Sequence, residues 1–192
     1  MKIKPSIIIG TTLVIIGAVI GYQPYSRLFT GSKNKGTFDS YVANRPLPSK
    51  DINGVISGKP VSIQINSLKI NLPVVDGFYD KTKQDWSLTP DKAQYATTTP
   101  LSNNYSGNTF IYGHDNSKVF MNLHKLKVGD EVVIKTSNGH TFKYVFRSSL
   151  ETNPYDGSLF KYQGPSILTL QTCSGVRSQN RQLFTFDFKE VV

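Results

Sequence analysis

Cysteine is nearly absent from this 192-residue sequence, which has one, Cys173, and only three histidines beside it. A single cysteine excludes any intramolecular disulfide, and so small a set of ligands excludes a cysteine-rich zinc site. The fold must therefore be stable without disulfide or zinc cross-links. A lone cysteine is either a buried small hydrophobe or a reactive thiol, and composition alone favours the buried alternative.

Acidic residues are also few, since the chain has 13 Asp and Glu but 22 Lys and Arg, which gives a formal net charge of +9. The basic residues are spread along the chain and no recognition motif accompanies them, so nucleic acid is not a predicted partner. A basic surface facing an anionic cell envelope explains the charge equally well. The length fits one membrane segment and one domain with a hydrophobic core.

Long apolar runs are limited to one, residues 6–22, which has no charged residue and follows Lys2 and Lys4. Its length of roughly 17 residues is about the minimum for a membrane-spanning helix. The lysines place the N-terminus in the cytoplasm by the positive-inside rule. A cleaved signal peptide is the alternative, but no small-x-small cleavage site follows the run. The sequence predicts a cytoplasmic tail (1–5), a transmembrane signal-anchor (6–22) and an extracytoplasmic remainder at the cell membrane.

Residues 23–58 are rich in Ser, Lys, Asn, Gly and Pro and predict an extracytoplasmic linker or stalk. From residue 59 to 192 apolar and polar residues alternate with the period of strands. Seven strands are predicted, at residues 61–65, 68–72, 109–112, 131–135, 141–146, 166–172 and 183–188. Helical candidates are brief, near residues 91–95 and 117–126. The pattern predicts an all-β domain built as a closed or nearly closed β-barrel.

Cys173 comes directly after the apolar strand at 166–172, where a loop begins. A strand end holds a side chain firmly and leaves it accessible to substrate, so this position favours a reactive thiol. A thiol nucleophile needs a proton-transfer partner, which is usually histidine. His114 also follows a strand, whereas His140 adjoins the predicted Asn138-Gly139 turn and His124 lies on a short helical stretch. His114 is therefore the preferred partner of Cys173.

Acyl transfer also requires positive charge or N–H donors directed at the oxyanion. Arg181 lies just before the strand at 183–188, and it comes beside Cys173 if the two strands are antiparallel neighbours. Its guanidinium stays charged and offers a fork of donors. Arg177, in the same loop, is a competing candidate of lower rank.

Residues 107–114, Gly-Asn-Thr-Phe-Ile-Tyr-Gly-His, resemble the histidine motif of the sortase family, and residues 169–173, Thr-Leu-Gln-Thr-Cys, resemble its cysteine motif. Arg181, a short loop later, falls where that family's arginine is expected. The three motifs occur in the family's order behind an N-terminal anchor, and the match runs from about Val61 to the C-terminus. The sequence is thus similar to membrane-anchored cysteine transpeptidases.

The resemblance implies a closed eight-stranded β-barrel that cleaves a C-terminal sorting signal of secreted proteins, commonly Leu-Pro-x-Thr-Gly, between Thr and Gly. It implies that Cys173 forms a thioester with the threonine carbonyl and that His114 protonates the departing amine. Arg181 would stabilise the oxyanion or position substrate. An amine then resolves the thioester; in the family it belongs to a cell-wall peptidoglycan precursor or to a lysine of a pilin subunit.

Thr172 matches the threonine before the family cysteine and is a candidate for holding substrate. Asp115 adjoins His114, but adjacent residues on a strand point to opposite faces, so it is left outside the catalytic set. No cofactor is implied. Some sortases use calcium near the active site, but the acidic residues of this chain are too scattered to predict such a site.

The subclass and two rival functions stay open at this point. Pilus-building sortases often carry a lid with an Asp-Pro-aromatic anchor, which residues 23–60 lack, so wall anchoring is favoured over pilin polymerisation. An L,D-transpeptidase usually shows a Ser-His-Gly-Cys motif, whereas Leu-Gln-Thr precedes Cys173 here. A non-catalytic cell-wall-binding domain would use the same barrel and the +9 charge.

Overall fold

The computed structural model describes residues 34–38, 54–83, 85–174 and 179–192. The predicted cytoplasmic tail and anchor, most of the predicted linker, and Arg177 lie outside these ranges. Within them, no helix combines the length and the apolar character that crossing a membrane requires.

Strands dominate the described residues, and the helices that lie wholly within them are short 3-10 helices. The 3-10 helices are Asn66–Leu68, Met121–Lys125 and Ser158–Lys161. The strands are β1 (Asn34–Lys35), β2 (Ser57–Gly58), β3 (Pro60–Ile65), β4 (Ile70–Gly77), β5 (Tyr79–Asp80), β6 (Asp85–Trp86), β7 (Ala93–Ala96), β8 (Ser102–Asn103), β9 (Asn108–Tyr112), β10 (Glu131–Thr136), β11 (Thr141–Thr152), β12 (Ile167–Ser174) and β13 (Asn180–Val191).

Eight of these strands form a closed barrel. Their hydrogen-bonded order is β11, β10, β3, β4, β7, β9, β12 and β13, and β13 pairs back onto β11. The pairs β4–β7 and β9–β12 are parallel, and the other barrel pairs are antiparallel. The predicted all-β, closed eight-stranded barrel is confirmed.

The predicted hairpin at Asn138-Gly139 also forms, between β10 and β11. Gly139 has a positive φ of 89°, and its N–H donates to the Thr136 carbonyl at 3.1 Å. Glycine adopts this left-handed conformation without steric cost, which explains the strength of the turn signal.

Both helical predictions are corrected by the structure. Residues 91–95 do not form a helix, because Ala93–Ala96 is barrel strand β7. All four of its residues are buried, so the strand has no alternation of apolar and polar residues to reveal it. Of residues 117–126, only Met121–Lys125 is helical, as a 3-10 helix. The predicted strand at 68–72 begins later, at Ile70, and extends to Gly77.

Side chains on the two faces of the barrel wall enter two separate hydrophobic clusters. On β12, Leu168 and Leu170 belong to the cluster inside the barrel, which also holds Ile63, Phe142, Tyr144 and Phe186. Ile167 belongs to a second cluster on the outer face. Successive strand residues point to opposite faces, so odd-numbered β12 residues, including Cys173, face outward.

The connection between β11 and β12 adds Leu159 to the strand residues of the second cluster. Strands β11 and β12 run in the same direction, so the chain between Thr152 and Ile167 must return along the barrel. It buries Leu159 against Leu150 and Leu183.

The described parts of the predicted linker contact the domain. Asn34–Lys35 pairs with β11 in parallel, and Ser57–Gly58 pairs with β8. Phe38 is 0% exposed in the outer cluster, and its backbone N–H donates to Asp156 Oδ2 at 3.0 Å. A segment predicted to hold the domain away from the bilayer therefore also completes its core.

Candidate active site

Cys173 and Arg181 face each other across an antiparallel strand pair. In the register of β12 and β13, Cys173 is the direct partner of Arg181, and on the other side of β13 Arg181 is paired with Thr152. Directly opposed residues share one face of a sheet, with Cβ atoms about 4.5–5.5 Å apart. The antiparallel arrangement expected for Cys173 and Arg181 is thus confirmed.

His114 is brought toward Cys173 from the other side of β12. Strand β9 runs parallel to β12, with Tyr112 paired to Gln171, and the Gly113 N–H donates to the Gln171 carbonyl at 3.1 Å. Thr172 Oγ1 then donates to the Gly113 carbonyl at 3.1 Å. Extending the register by two residues along each chain would place His114 level with Cys173.

The alternation of side chains along β9 agrees with this placement of His114. Phe110 and Tyr112 of β9 belong to the outer cluster. Continued alternation directs His114, two residues after Tyr112, to that face as well. Extended in this way, the register gives the face a row of a thiol, an imidazole and a guanidinium, from Cys173, His114 and Arg181.

Gly113 is required by close packing at the bend before His114. A Cβ at this position would lie 2.6 Å from Val119 Cγ1 and 3.1 Å from Phe120 Cδ2. The backbone beyond the bend is held by the Phe120 N–H, which donates to the His114 carbonyl at 3.1 Å. The absence of a side chain at Gly113 therefore lets Val119 and Phe120 pack against the chain there. The backbone of His114 is held in place as a result.

The other histidines are placed differently. His140 precedes Thr141, the first residue of β11, whereas the partner of Arg181 is Thr152, the last. At about 3.3 Å per residue, the two ends of β11 are roughly 36 Å apart, so His140 cannot reach Cys173. His124 is exposed, and its Nδ1 lies 2.6 Å from the Met121 carbonyl oxygen. Asp115 is exposed beside His114.

The side chains of the row are accessible without being fully solvated. Cys173 forms no disulfide and is half-buried, as are His114 and Arg181. Thr172, on the barrel side of β12, is only 6% exposed. Its hydroxyl joins β12 to Gly113, so the structure shows Thr172 as a link between the cysteine and histidine segments.

An aromatic wall beside the row was not identified from the sequence. Trp86 of β6 stacks on Phe160, with ring centroids 5.8 Å apart and an interplanar angle of 8°, and meets Tyr112 edge-on at 5.3 Å. The Tyr112 hydroxyl donates to the Ser87 carbonyl at 2.9 Å, and burial raises the pKa of Tyr112 above its usual value. The hydroxyl therefore remains a donor that fixes this wall.

Within the ranges that the structure describes, metal ligands are not gathered near the row. Among the described residues, no three His, Cys, Asp or Glu side chains come close enough together to hold an ion.

Comparison with known proteins gives one family. The sortase domain model matches residues 63–185, which covers more than half of the chain and includes His114, Cys173 and Arg181. No curated protein sequence matches the chain.

Solved structures share the fold at low sequence identity. Sortase A of Listeria monocytogenes has a TM-score of 0.56 at 20% identity, over 69% of this chain and 88% of its own. Sortase E1 of Streptomyces coelicolor, solved with a tripeptide in its active site, has a TM-score of 0.54 at 23% identity, over 70% and 90%.

A Clostridium perfringens sortase D5 transpeptidase has a TM-score of 0.55 at 22% identity, over 72% of this chain and 84% of its own. Because sortases of several lettered types match about equally well, the fold does not separate the subclasses. The family-model match and the barrel together establish that this chain belongs to the sortase family.

Proposed function

We propose that this sortase-family chain is a cysteine transpeptidase that cleaves a Leu-Pro-x-Thr-Gly-like signal and transfers the acyl group to an amine. The observation that carries the proposal is the direct pairing of Cys173 with Arg181, beside the strand that leads to His114. A nucleophile, a proton-transfer group and an oxyanion donor are the parts that acyl transfer requires.

In the acylation step, Cys173 Sγ attacks the carbonyl carbon of the signal threonine. The carbonyl oxygen becomes an oxyanion, which the Arg181 guanidinium stabilises by donating hydrogen bonds. The C–N bond to glycine then breaks, His114 gives its proton to the departing amine, and the carbonyl re-forms as a thioester on Cys173.

In the second step, an acceptor amine attacks the thioester carbon. His114 accepts a proton from the attacking nitrogen, and the oxyanion again lies against Arg181. The C–S bond then breaks, the carbonyl re-forms as an amide, and Cys173 leaves as a thiolate. The new amide bond replaces the one that was broken, whereas hydrolysis of the thioester would release a free carboxylic acid. Thr172 contributes by holding Gly113 and, we propose, by contacting the acyl chain near Cys173.

We further propose that the domain acts outside the cell, attached by residues 6–22. Its protein substrates would be secreted proteins that carry the signal, and its acceptor a peptidoglycan precursor amine. In this proposal the catalytic domain is residues 59–192, and the reaction needs no cofactor. Pilin polymerisation is the alternative within the family; a non-catalytic wall-binding role is the alternative outside it.

The direct test is transpeptidation by the detergent-solubilised full chain, with a panel of sorting peptides and triglycine as the amine. A fragment beginning at Gly54 would remove the buried Phe38, so the full chain is the better reagent. Mass spectrometry should detect the peptide–triglycine product. Absence of product from every peptide, with the protein folded, would contradict the enzyme assignment.

Arginine substitutions test which guanidinium acts. Arg181→Ala should abolish turnover, because removal of one oxyanion donor costs about 10²- to 10³-fold in kcat. Arg177→Ala should retain turnover. The opposite result would assign the role to Arg177.

The non-catalytic alternative makes a different prediction. It would be favoured if Cys173→Ala still bound anionic wall polymer and the native chain cleaved no peptide.

A further inference from the structure

Glu151 is a buried acidic side chain at the site end of β11. It is 8% exposed, whereas Glu131 and Glu190 are exposed. Burial of a carboxylate is costly unless hydrogen bonds compensate for lost water, so the hydrogen-bond partners of Glu151 are the next question.

Two hydrogen bonds connect Glu151 to the proposed oxyanion donor. Asn180 Nδ2 donates to Glu151 Oε1 at 3.1 Å. Arg181 Nη1 donates to the backbone carbonyl of Asn180 at 3.2 Å. Asn180 therefore anchors its side chain on β11 and presents its carbonyl to the guanidinium.

The strand register separates these residues from the reacting row. Glu151 is paired with Gln182, and Asn180 with Ser174, so both alternate with the outward-facing Arg181. Glu151 and Asn180 lie on the barrel side of the sheet. Their side chains therefore point away from the face that carries Cys173, and the hydrogen bonds through Asn180 connect them to Arg181.

Arginine has a long side chain with many rotamers, and a guanidinium that stabilises an oxyanion must be in place before charge develops. A hydrogen bond to a carboxylate is roughly twice as strong as one between neutral groups. Glu151 can thus fix Asn180 more firmly than a neutral partner would, and the fixed Asn180 carbonyl selects one orientation of the Arg181 fork.

We propose that Glu151 and Asn180 are positioning residues that orient Arg181 for transpeptidation. The inference rests on the proposed function of Arg181 and adds to it two residues outside the Cys173–His114–Arg181 row.

The test is steady-state kinetics of the detergent-solubilised full chain with Glu151→Ala, Asn180→Ala and Glu151→Gln. The alanine variants should lower kcat about tenfold or more, with KM changed less than about twofold, because the lost alignment acts on the oxyanion. Glu151→Gln keeps an acceptor oxygen but loses the charge, so its kcat should lie between that of Glu151→Ala and that of the native chain. Glu190→Ala, at the other end of the sheet, is the matched control and should leave kcat unchanged.

A double-mutant cycle separates positioning from general destabilisation. In an Arg181→Lys background, Glu151→Ala should have little further effect on kcat, because the group that it orients has been replaced. An undiminished loss in that background, or a loss of kcat that only follows a fall in Tm, would overturn the inference. If the native chain gives no transpeptidation product, the proposed function itself fails; if it does and Glu151→Ala matches Glu190→Ala, only the positioning role fails.

Discussion

The two ends of strands β11 and β13 differ in what closes them. At one end, Thr141 and Val192 exchange two backbone hydrogen bonds, and Lys143 and Glu190 form an exposed ion pair. At the other end, Thr152 and Arg181 are paired beside Cys173, and a carboxylate is buried. The same two strands thus carry an exposed ion pair at one end and partly buried, potentially reactive side chains at the other.

Chain connections explain this difference. The end at Thr141 is closed by the tight hairpin that joins Thr136 to Thr141. At the site end, β9 and β12 are parallel, and parallel strands need long crossover connections. The chain between Thr152 and Ile167, which is the last part of the connection from β9 to β12, returns along the outer face and places Leu159 and Phe160 there.

Histidine substitutions should give the largest difference in activity between the two ends. His114→Ala should lower kcat/KM by about 10²- to 10⁴-fold, because it removes the proton-transfer group. His140→Ala, at the hairpin end, is the matched control and should leave kcat/KM nearly unchanged. Equal losses for the two variants, measured by product formation at matched Tm, would mean that the row has no special role for His114.

Removal of Phe38 tests whether the segment over the site end belongs to the fold. Phe38→Ala should lower the free energy of unfolding by about 3–5 kcal/mol, as expected for a fully buried phenylalanine. Phe78→Ala, at a phenylalanine that is 58% exposed, should change it by less than about 0.5 kcal/mol. Urea unfolding of both variants measures the difference, and similar values would show that Phe38 does not stabilise the barrel.

The ion pair at the hairpin end should give the smallest effect. The hydrogen bond and charge of Lys143 hold the pKa of Glu190 below its usual value. Any stability from Glu190 is therefore present above its unfolded pKa and is lost as pH falls through its lower folded pKa. Exposed pairs contribute little, so Glu190→Gln should leave turnover unchanged and lower Tm only slightly at neutral pH. A loss of turnover in Glu190→Gln would show that the hairpin end also contributes to activity.

The sequence predicted most of the barrel because most strands have one buried face. Buried and more exposed residues alternate along β3 and β10, and Asn138-Gly139 marks the hairpin between β10 and β11. Strand β7 was misassigned because it is buried on both faces. Phe38 was assigned to a linker because its burial depends on the distant Leu150, Leu159 and Leu183, which local composition cannot reveal.

For the site, local sequence signals indicated Cys173, His114 and Arg181, because each adjoins a strand end. The pairing of Cys173 with Arg181 could be expected from two apolar strands joined by a short loop. Glu151, by contrast, lies 22 residues before Cys173 on a strand that reaches the site only through closure of the barrel. The stacking of Trp86 on Phe160 likewise depends on two loops meeting over the outer face.

The central claim is that Cys173 carries the acyl group during transfer. The most direct measurement is the intact mass of the full chain mixed with a sorting peptide in the absence of an added amine, followed by peptide mapping of the adduct. The account predicts an increase by the mass of the acyl fragment, located on Cys173, removed by triglycine and absent in Cys173→Ala. A peptide that is cleaved while no adduct forms on Cys173, or equal cleavage by Cys173→Ala, would contradict it.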